Sequence, residues 1–252
     1  MAQRLGAVPG AIGVFQVVEH DGRTYILTEG AEGDLETWIA QQHLQSRGDE
    51  ERTPGVPLMP LWRSLPILVD MLSAIEDLQS AGILHADLME RNFLFKEGHA
   101  LISDLRVACL EQTSHRTFGN RFLRGRCARS VFRHAPEMLG VLPTGPSNHI
   151  WAVGLIFAKM CLGYVPTEHA IAEEAPQLME QLDSFNGPLM ISRWIRERFD
   201  IFEDDGWQEL LDPEMQDLIA GMLEKDPNKR WHVIGALNYA KRLAVERGIQ
   251  LL

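Results

Sequence analysis

Apolar and polar positions change their period along the chain, and the change divides it. Between residues 12 and 29, Val14, Phe15, Val17 and Val18 lead into Asp21-Gly22, and Thr24 to Leu27 follow. Asp-Gly between two β-rich runs predicts a hairpin, because both residues tolerate positive φ. Gly33-Asp34-Leu35 then predicts the start of a short helix, with Asp34 as its N-cap. Residues 41–60 turn polar, charged from Arg47 to Arg52 and broken by Pro54, Gly55, Pro57 and Pro60. They read as a surface insertion or loop. From Leu61 to Ser80 the period is helical: Ile67, Leu68, Met71, Leu72, Ile75 and Leu78 make one apolar face. Gly82 stops that helix. Short β segments are predicted at Ile83–Leu84, Phe93–Phe95 and Ala100–Ser103, with Lys96-Glu97-Gly98 as the turn between the last two.

Residues 105–135 carry no period. Beyond Pro136 helices dominate, with spans predicted at Asn148–Leu162, Ala175–Leu182, Leu189–Arg198, Pro213–Leu223 and Val233–Arg247. Strands early and helices late imply an α+β fold with a helical lower body. The 252 residues are 45% hydrophobic and 23% charged, enough apolar side chain for a core and too much for disorder. A formal charge of −11 repels phosphate backbones and argues against nucleic acid as partner. Cys109, Cys127 and Cys161 are too few and too scattered for a disulfide framework or a zinc site, which suits the cytoplasm or another reducing compartment. The first fifteen residues make a poor signal peptide. The longest apolar run, Ile150 to Val165, is interrupted by Lys159 and is short for a bilayer, so no membrane span is expected.

The chemistry concentrates in His85-Ala86-Asp87-Leu88-Met89-Glu90-Arg91-Asn92. This run resembles the H-R-D-L-x-x-x-N catalytic loop of protein kinases. Ile102-Ser103-Asp104-Leu105-Arg106 stands where that family has D-F-G, and Ala135-Pro136-Glu137 matches A-P-E. Ile150-Trp151-Ala152-Val153-Gly154 is similar to the D-V-W-S-x-G helix, and Met222 to Arg230 to the late M-L-x-x-D-P-x-x-R signature. Leu27 to Leu35 resembles the hinge and the helix after it. The ordered series identifies the chain as similar to protein kinases, mostly the helical C-terminal lobe with the hinge and one residual β-hairpin of the N-terminal lobe. The resemblance implies residual upper-lobe strands over 1–30, the lower lobe over 31–252, the catalytic loop at 85–92 and the activation segment at 104–137.

Phosphoryl transfer needs a carboxylate to orient the attacking hydroxyl, and Mg²⁺, which takes oxygen ligands, to neutralise the phosphates. By the resemblance, Asp87 is the catalytic base, and Asn92 and Asp104 hold Mg²⁺. Peptide groups of Glu29 and Ala31 bond adenine, Thr28 is the gatekeeper, and Leu94 lies under the base. Ser130 matches the small hydroxyl residue that steadies the catalytic aspartate in Ser/Thr kinases. Glu137 and Arg230 form a buried ion pair anchoring the activation segment. ATP and Mg²⁺ are the cofactors of an active form, and none is needed if activity is lost. The partner is a protein, as substrate or as regulated partner.

The departures bear on activity. Ala86 replaces the arginine that pairs with a phosphorylated activation-segment residue, so activation by that route is not expected. Met89 replaces a lysine near the transferred phosphate, and Arg91 is the one candidate to replace its charge. Arg106 stands where glycine is usual. His149 replaces the aspartate that braces the catalytic loop from below, so that brace is expected to be lost. No glycine-rich loop and no strand lysine are found, and no lysine occurs before Lys96. Residues 105–135 also hold seven arginines against one glutamate. A solvated loop drawn to an acidic body explains that run more simply than a dock for acidic peptides. The expectation is therefore a kinase-like domain whose ancestral ATP-dependent transfer to Ser/Thr is weak or lost. The alternatives are a non-catalytic scaffold or regulator, or a fragment of a larger active kinase.

Overall fold

The β-rich opening becomes an antiparallel hairpin, β1 (Val14–His20) and β2 (Arg23–Thr28). Asp21 and Gly22 turn it with φ of 49° and 68°, the left-handed values the Asp-Gly pair was expected to supply. The computed structural model describes residues 8–46, 58–105, 108–110, 129–139, 145–184, 186–200 and 211–251. The arginine-rich run expected over 105–135 lies mostly outside the described residues, Arg106 included.

After β3 (Gly33–Asp34) the chain enters α1 (Leu35–Ser46). Asp34 Oδ1 accepts from the Thr37 N–H at 2.8 Å, the expected cap. The helix runs on through residues 41–46, which the polar composition assigned to a loop. Gln41, Gln42, Leu44 and Gln45 are sound helix formers, and the polar residues form a solvated face. His43 ties that end down through Nε2 to the Met160 carbonyl at 3.1 Å.

Helix α2 (Leu61–Ser80) follows, and Leu65, Leu68, Met71, Leu72, Ile75 and Leu78 are all buried. Next come β4 (Ile83–Leu84), β5 (Phe93–Lys96), β6 (His99–Ile102) and β7 (Cys109–Leu110). β5 lies between β3 and β6 in a three-stranded antiparallel sheet, and β4 pairs with β7. The lower body is α3 (Ser147–Leu162), α4 (Pro166–Glu174), α5 (Pro176–Glu180), α6 (Gly187–Glu197), α7 (Pro213–Met222) and α8 (Val233–Glu246).

Helix α3 is the axis of the core. Trp151, Val153, Leu155, Ile156 and Phe157 have no exposed surface, and each such side chain contributes about 1.5–3 kcal/mol of burial. Gly154 lets α7 approach: a Cβ there would stand 2.9 Å from Met222 Cβ and Leu223 Cδ2. Among the described residues no single helix is long and apolar enough to cross a membrane.

The resemblance assigns residues 8–13 to the residual upper-lobe strands. They form a turn at Pro9–Gly10 and a short tie to β6 and α2 instead. Gly10 N–H donates to Asp77 Oδ2 at 3.0 Å. Ile102 N–H donates to the Gly10 carbonyl at 2.9 Å, and Ile12 N–H to the Ile102 carbonyl at 2.8 Å. The hairpin beyond is open on both faces: Phe15, Val17, Tyr25, Ile26 and Leu27 are all exposed.

Candidate active site

The loop 85–92 is shaped from within. The His85 ring is fully buried. Its Nε2 donates to the Ser103 carbonyl at 2.8 Å, and its Nδ1 accepts from the Asp87 N–H at 3.3 Å. Burial outweighs the nearby carboxylates and lowers its pKa, so the ring is neutral, as these two bonds require. Asn92 Nδ2 donates to the Asp87 carbonyl at 2.7 Å and closes the loop on itself. The Asn92 carbonyl accepts from the Ser103 N–H at 2.8 Å and from Ser103 Oγ at 3.1 Å. The end of β6, and with it Asp104, is thereby tied to the residue that closes the catalytic loop.

The expected loss of the brace below the loop is not what the structure contains. His149 Nε2 accepts from the His85 N–H at 3.0 Å, so imidazole occupies the acceptor role of the missing carboxylate. Burial first, then the neighbouring His85, holds the His149 pKa down at about 3. The ring is neutral at any ordinary pH and can keep accepting.

Two backbone outliers flank the chemistry. Ala86 has φ of 68° and Asp104 of 56°. A left-handed residue other than glycine costs about 1–2 kcal/mol, and such strain gathers where function demands a particular shape. Asp87 stands beside one of them. Its Oδ1 is buried without a hydrogen-bond partner among the described residues. A buried unpaired carboxylate oxygen is costly and can accept a bond from an incoming donor.

The remaining expected residues lie at and after the end of β2, on β5 and in the 3₁₀ turn at 129–133. Glu29 and Ala31 follow β2, and Thr28 is its last residue. The Glu29 N–H is engaged by the Gly13 carbonyl at 2.9 Å, and the Glu32 N–H by the Phe95 carbonyl at 2.8 Å. Leu94 sits on β5 opposite Asp34 and Leu101, so it shares one small sheet with the residues just after the expected hinge. Arg91 Nη2 lies 3.3 Å from Glu36 Oε2 on α1, while Met89 is buried. Ser130 lies in a 3₁₀ turn, its side chain outside the described ones. The Glu137–Arg230 pair joins Oε1 to Nη1 at 2.5 Å and Oε2 to Nη2 at 2.9 Å. Arg230 also donates to the carbonyls of Glu224, Ser147 and Lys225.

For the metal, the donor set fits Mg²⁺. Asn92 commits its amide nitrogen to the loop, which leaves its oxygen as the atom it would offer, and Asp104 would supply a carboxylate. Magnesium is commonly held by one or two protein oxygens plus phosphates and water. Among the described residues no three His, Cys, Asp or Glu side chains gather at one point.

Two charged groups near the site escape sequence reading. Lys96 Nζ pairs with Glu29 Oε2 at 2.6 Å across the hinge sheet. Glu90, inside the loop, is buried against Arg133 and Lys159. Burial pushes the Glu90 carboxyl up, but the charges and hydrogen bonds of Arg133 and Lys159 outweigh it and hold it at about 2. Its partners are 43 and 69 residues away, so no local pattern announces them.

Comparisons with known proteins point to one family. The family model for the protein kinase domain matches residues 1–240. A probable serine/threonine-protein kinase of Dictyostelium discoideum is 27% identical over 172 residues, covering 68% of this chain and 32% of that protein. Human calcium/calmodulin-dependent protein kinase type 1B is 27% identical over 173 residues, 67% of this chain and 43% of its own length. Ribosomal protein S6 kinase 2 alpha of Xenopus laevis is 21% identical over 230 residues, 90% of this chain and 27% of its own. The chain thus spans less than half the length of each of these relatives.

Proposed function

The chain belongs to the protein kinase domain family, and on that premise we propose that it carries ATP-dependent phosphoryl transfer to serine or threonine hydroxyls of proteins, running slowly. The observation that carries this reading is the buried, unpartnered Asp87 Oδ1. A carboxylate kept for structure would be paired. This one is held by a loop braced through His85, His149 and Asn92, and it can accept the proton of a substrate hydroxyl while orienting its oxygen. Asn92 and Asp104 would hold Mg²⁺, which supplies charge neutralisation at the phosphates. Thr28, Glu29, Ala31 and Leu94 would hold the adenine end of ATP.

Slowness follows from charge. Met89 is buried and apolar, and Arg91 is turned to Glu36. Neither side chain brings a cation to the reacting phosphate, and a preorganised positive group there is among the larger contributions to such catalysis.

A second reading has its own support. The open β1–β2 hairpin carries apolar side chains on both faces, and a lone two-stranded hairpin is marginal in water. In that reading the domain works through protein contact, as a regulator of a partner or as part of a larger kinase.

Thermal unfolding with and without ATP and Mg²⁺ separates the two. The catalytic reading expects stabilisation at millimolar nucleotide that is lost with Asp104→Asn, the protein's own fold unchanged. No stabilisation at millimolar ATP would leave only the contact reading.

A further inference from the structure

Glu90 is an unusual place for a charge. Its side chain is 1% exposed, and it lies in the 3₁₀ turn between Asp87 and the β5 strand. Arg133 Nε donates to its Oε2 at 3.1 Å and Arg133 Nη2 to its Oε1 at 2.7 Å. Lys159 Nζ donates to the same Oε1 at 2.7 Å. Arg133 comes from the turn just before Ala135-Pro136-Glu137, and Lys159 from the last turn of α3. Arg133 also reaches Glu168 on α4 at 3.6 Å. One carboxylate therefore joins the Asp87 loop, the downstream end of the activation segment and the helical body. Buried ion networks add little net stability over apolar packing, but removing one member is costly. What such a network contributes is a fixed geometry.

We propose that Glu90 is a positioning residue: through Arg133 and Lys159 it holds residues 129–137 against the catalytic loop by charges encoded in the chain, so that their placement needs no phosphorylation. The proposal rests on reading Asp87 as the reacting carboxylate. Ala86 leaves the loop without the arginine that would meet a phosphate there, and Arg91 is turned to Glu36. Glu90 makes the same kind of joint with the polarity reversed, anion on the loop and cation on the segment.

Hydrogen exchange on the full chain reads the joint directly, whether or not the protein turns over. In Glu90→Gln, amides of residues 85–92 and 129–139 should exchange at least tenfold faster, while those of α7 and α8 are unchanged. Glu90→Gln combined with Arg133→Gln should open these segments no further than Glu90→Gln alone, because both changes break one joint. Should Glu90→Gln not fold, Lys159→Met leaves the Arg133 pair standing and should accelerate the same amides by a smaller factor. Where phosphotransfer is measurable, kcat should fall with KM for ATP unchanged. Phosphatase treatment of the unaltered chain should leave exchange at 129–139 as it was. Acceleration spread evenly over all helices, additive effects in the double variant, or loss of protection on dephosphorylation would each overturn the proposal. None of those results would touch the assignment of Asp87, which fails only with its own substitution.

Discussion

Three histidines, His85 and His149 buried and His134 half-buried, carry much of the residue-scale physics. His85, His134 and His149 all have pKa values lowered by burial, to about 4 for His134 and about 3 for His149. In the unfolded chain each titrates near 6.5. Between those values the unfolded state binds protons that the folded state refuses. Their contribution is fully present above about pH 6.5 and is lost as the pH falls below it. His149 alone should account for about 2 kcal/mol between pH 7.5 and pH 5. Urea unfolding at those two pH values tests this, and His149→Gln should flatten the dependence. A pH-independent midpoint in the unaltered protein would contradict the neutral brace under His85. That brace also shows where residue identity misleads: histidine in place of aspartate reads as a lost contact, yet a neutral imidazole offers the same acceptor.

At the scale of elements, local signals were enough wherever the determinant was local. The Asp21-Gly22 hairpin, the Asp34 cap and the apolar face of α2 all stand where the sequence puts them, while the Glu137–Arg230 pair, 93 residues apart, was expected only through the family resemblance. Helices α4 and α5 were legible only in part. The helix expected over Ala175–Leu182 occurs shortened, as α5, and α4 before it has no counterpart among the expected spans; each opens with a proline at its first position. α4 buries only Pro166, Thr167 and Ile171, too few to set an apolar period. The tie at residues 8–13 was illegible because its register is set by β6 and α2, far along the chain. A Cβ on Gly10 would stand 2.3 Å from Ala74 Cα, a contact with helix backbone that cannot yield cheaply. Gly10→Ala should therefore detach the tie at a cost of about 1–3 kcal/mol. Faster exchange of the Ile12 and Ile102 amides, with α7 and α8 unaffected, is the expected signature. Unchanged exchange there would mean the tie is not held by close approach at Gly10.

Over the whole molecule the site was legible as a set of residue types but not as a circuit. Asp87, Asn92 and Asp104 are named by motif spacing. Their coupling through Ser103, His85 and His149, and the anchoring of Glu90 by Arg133 and Lys159, depend on partners brought together only by folding. The same distance limits what spacing says about rate. Arg91 stands at a position from which it could serve the phosphate, and only the fold turns it to Glu36. The role proposed for Asp87 is a slow, Mg²⁺-dependent transfer to protein hydroxyls. It is tested most directly by incubating the chain with labelled ATP, Mg²⁺ and a generic protein substrate, beside Asp87→Asn. The predicted result is label on serine or threonine at a rate below the ~1–100 s⁻¹ of typical kinases, falling by about 10²-fold or more in the variant. No label above the Asp87→Asn background, or equal label from both proteins, would contradict it.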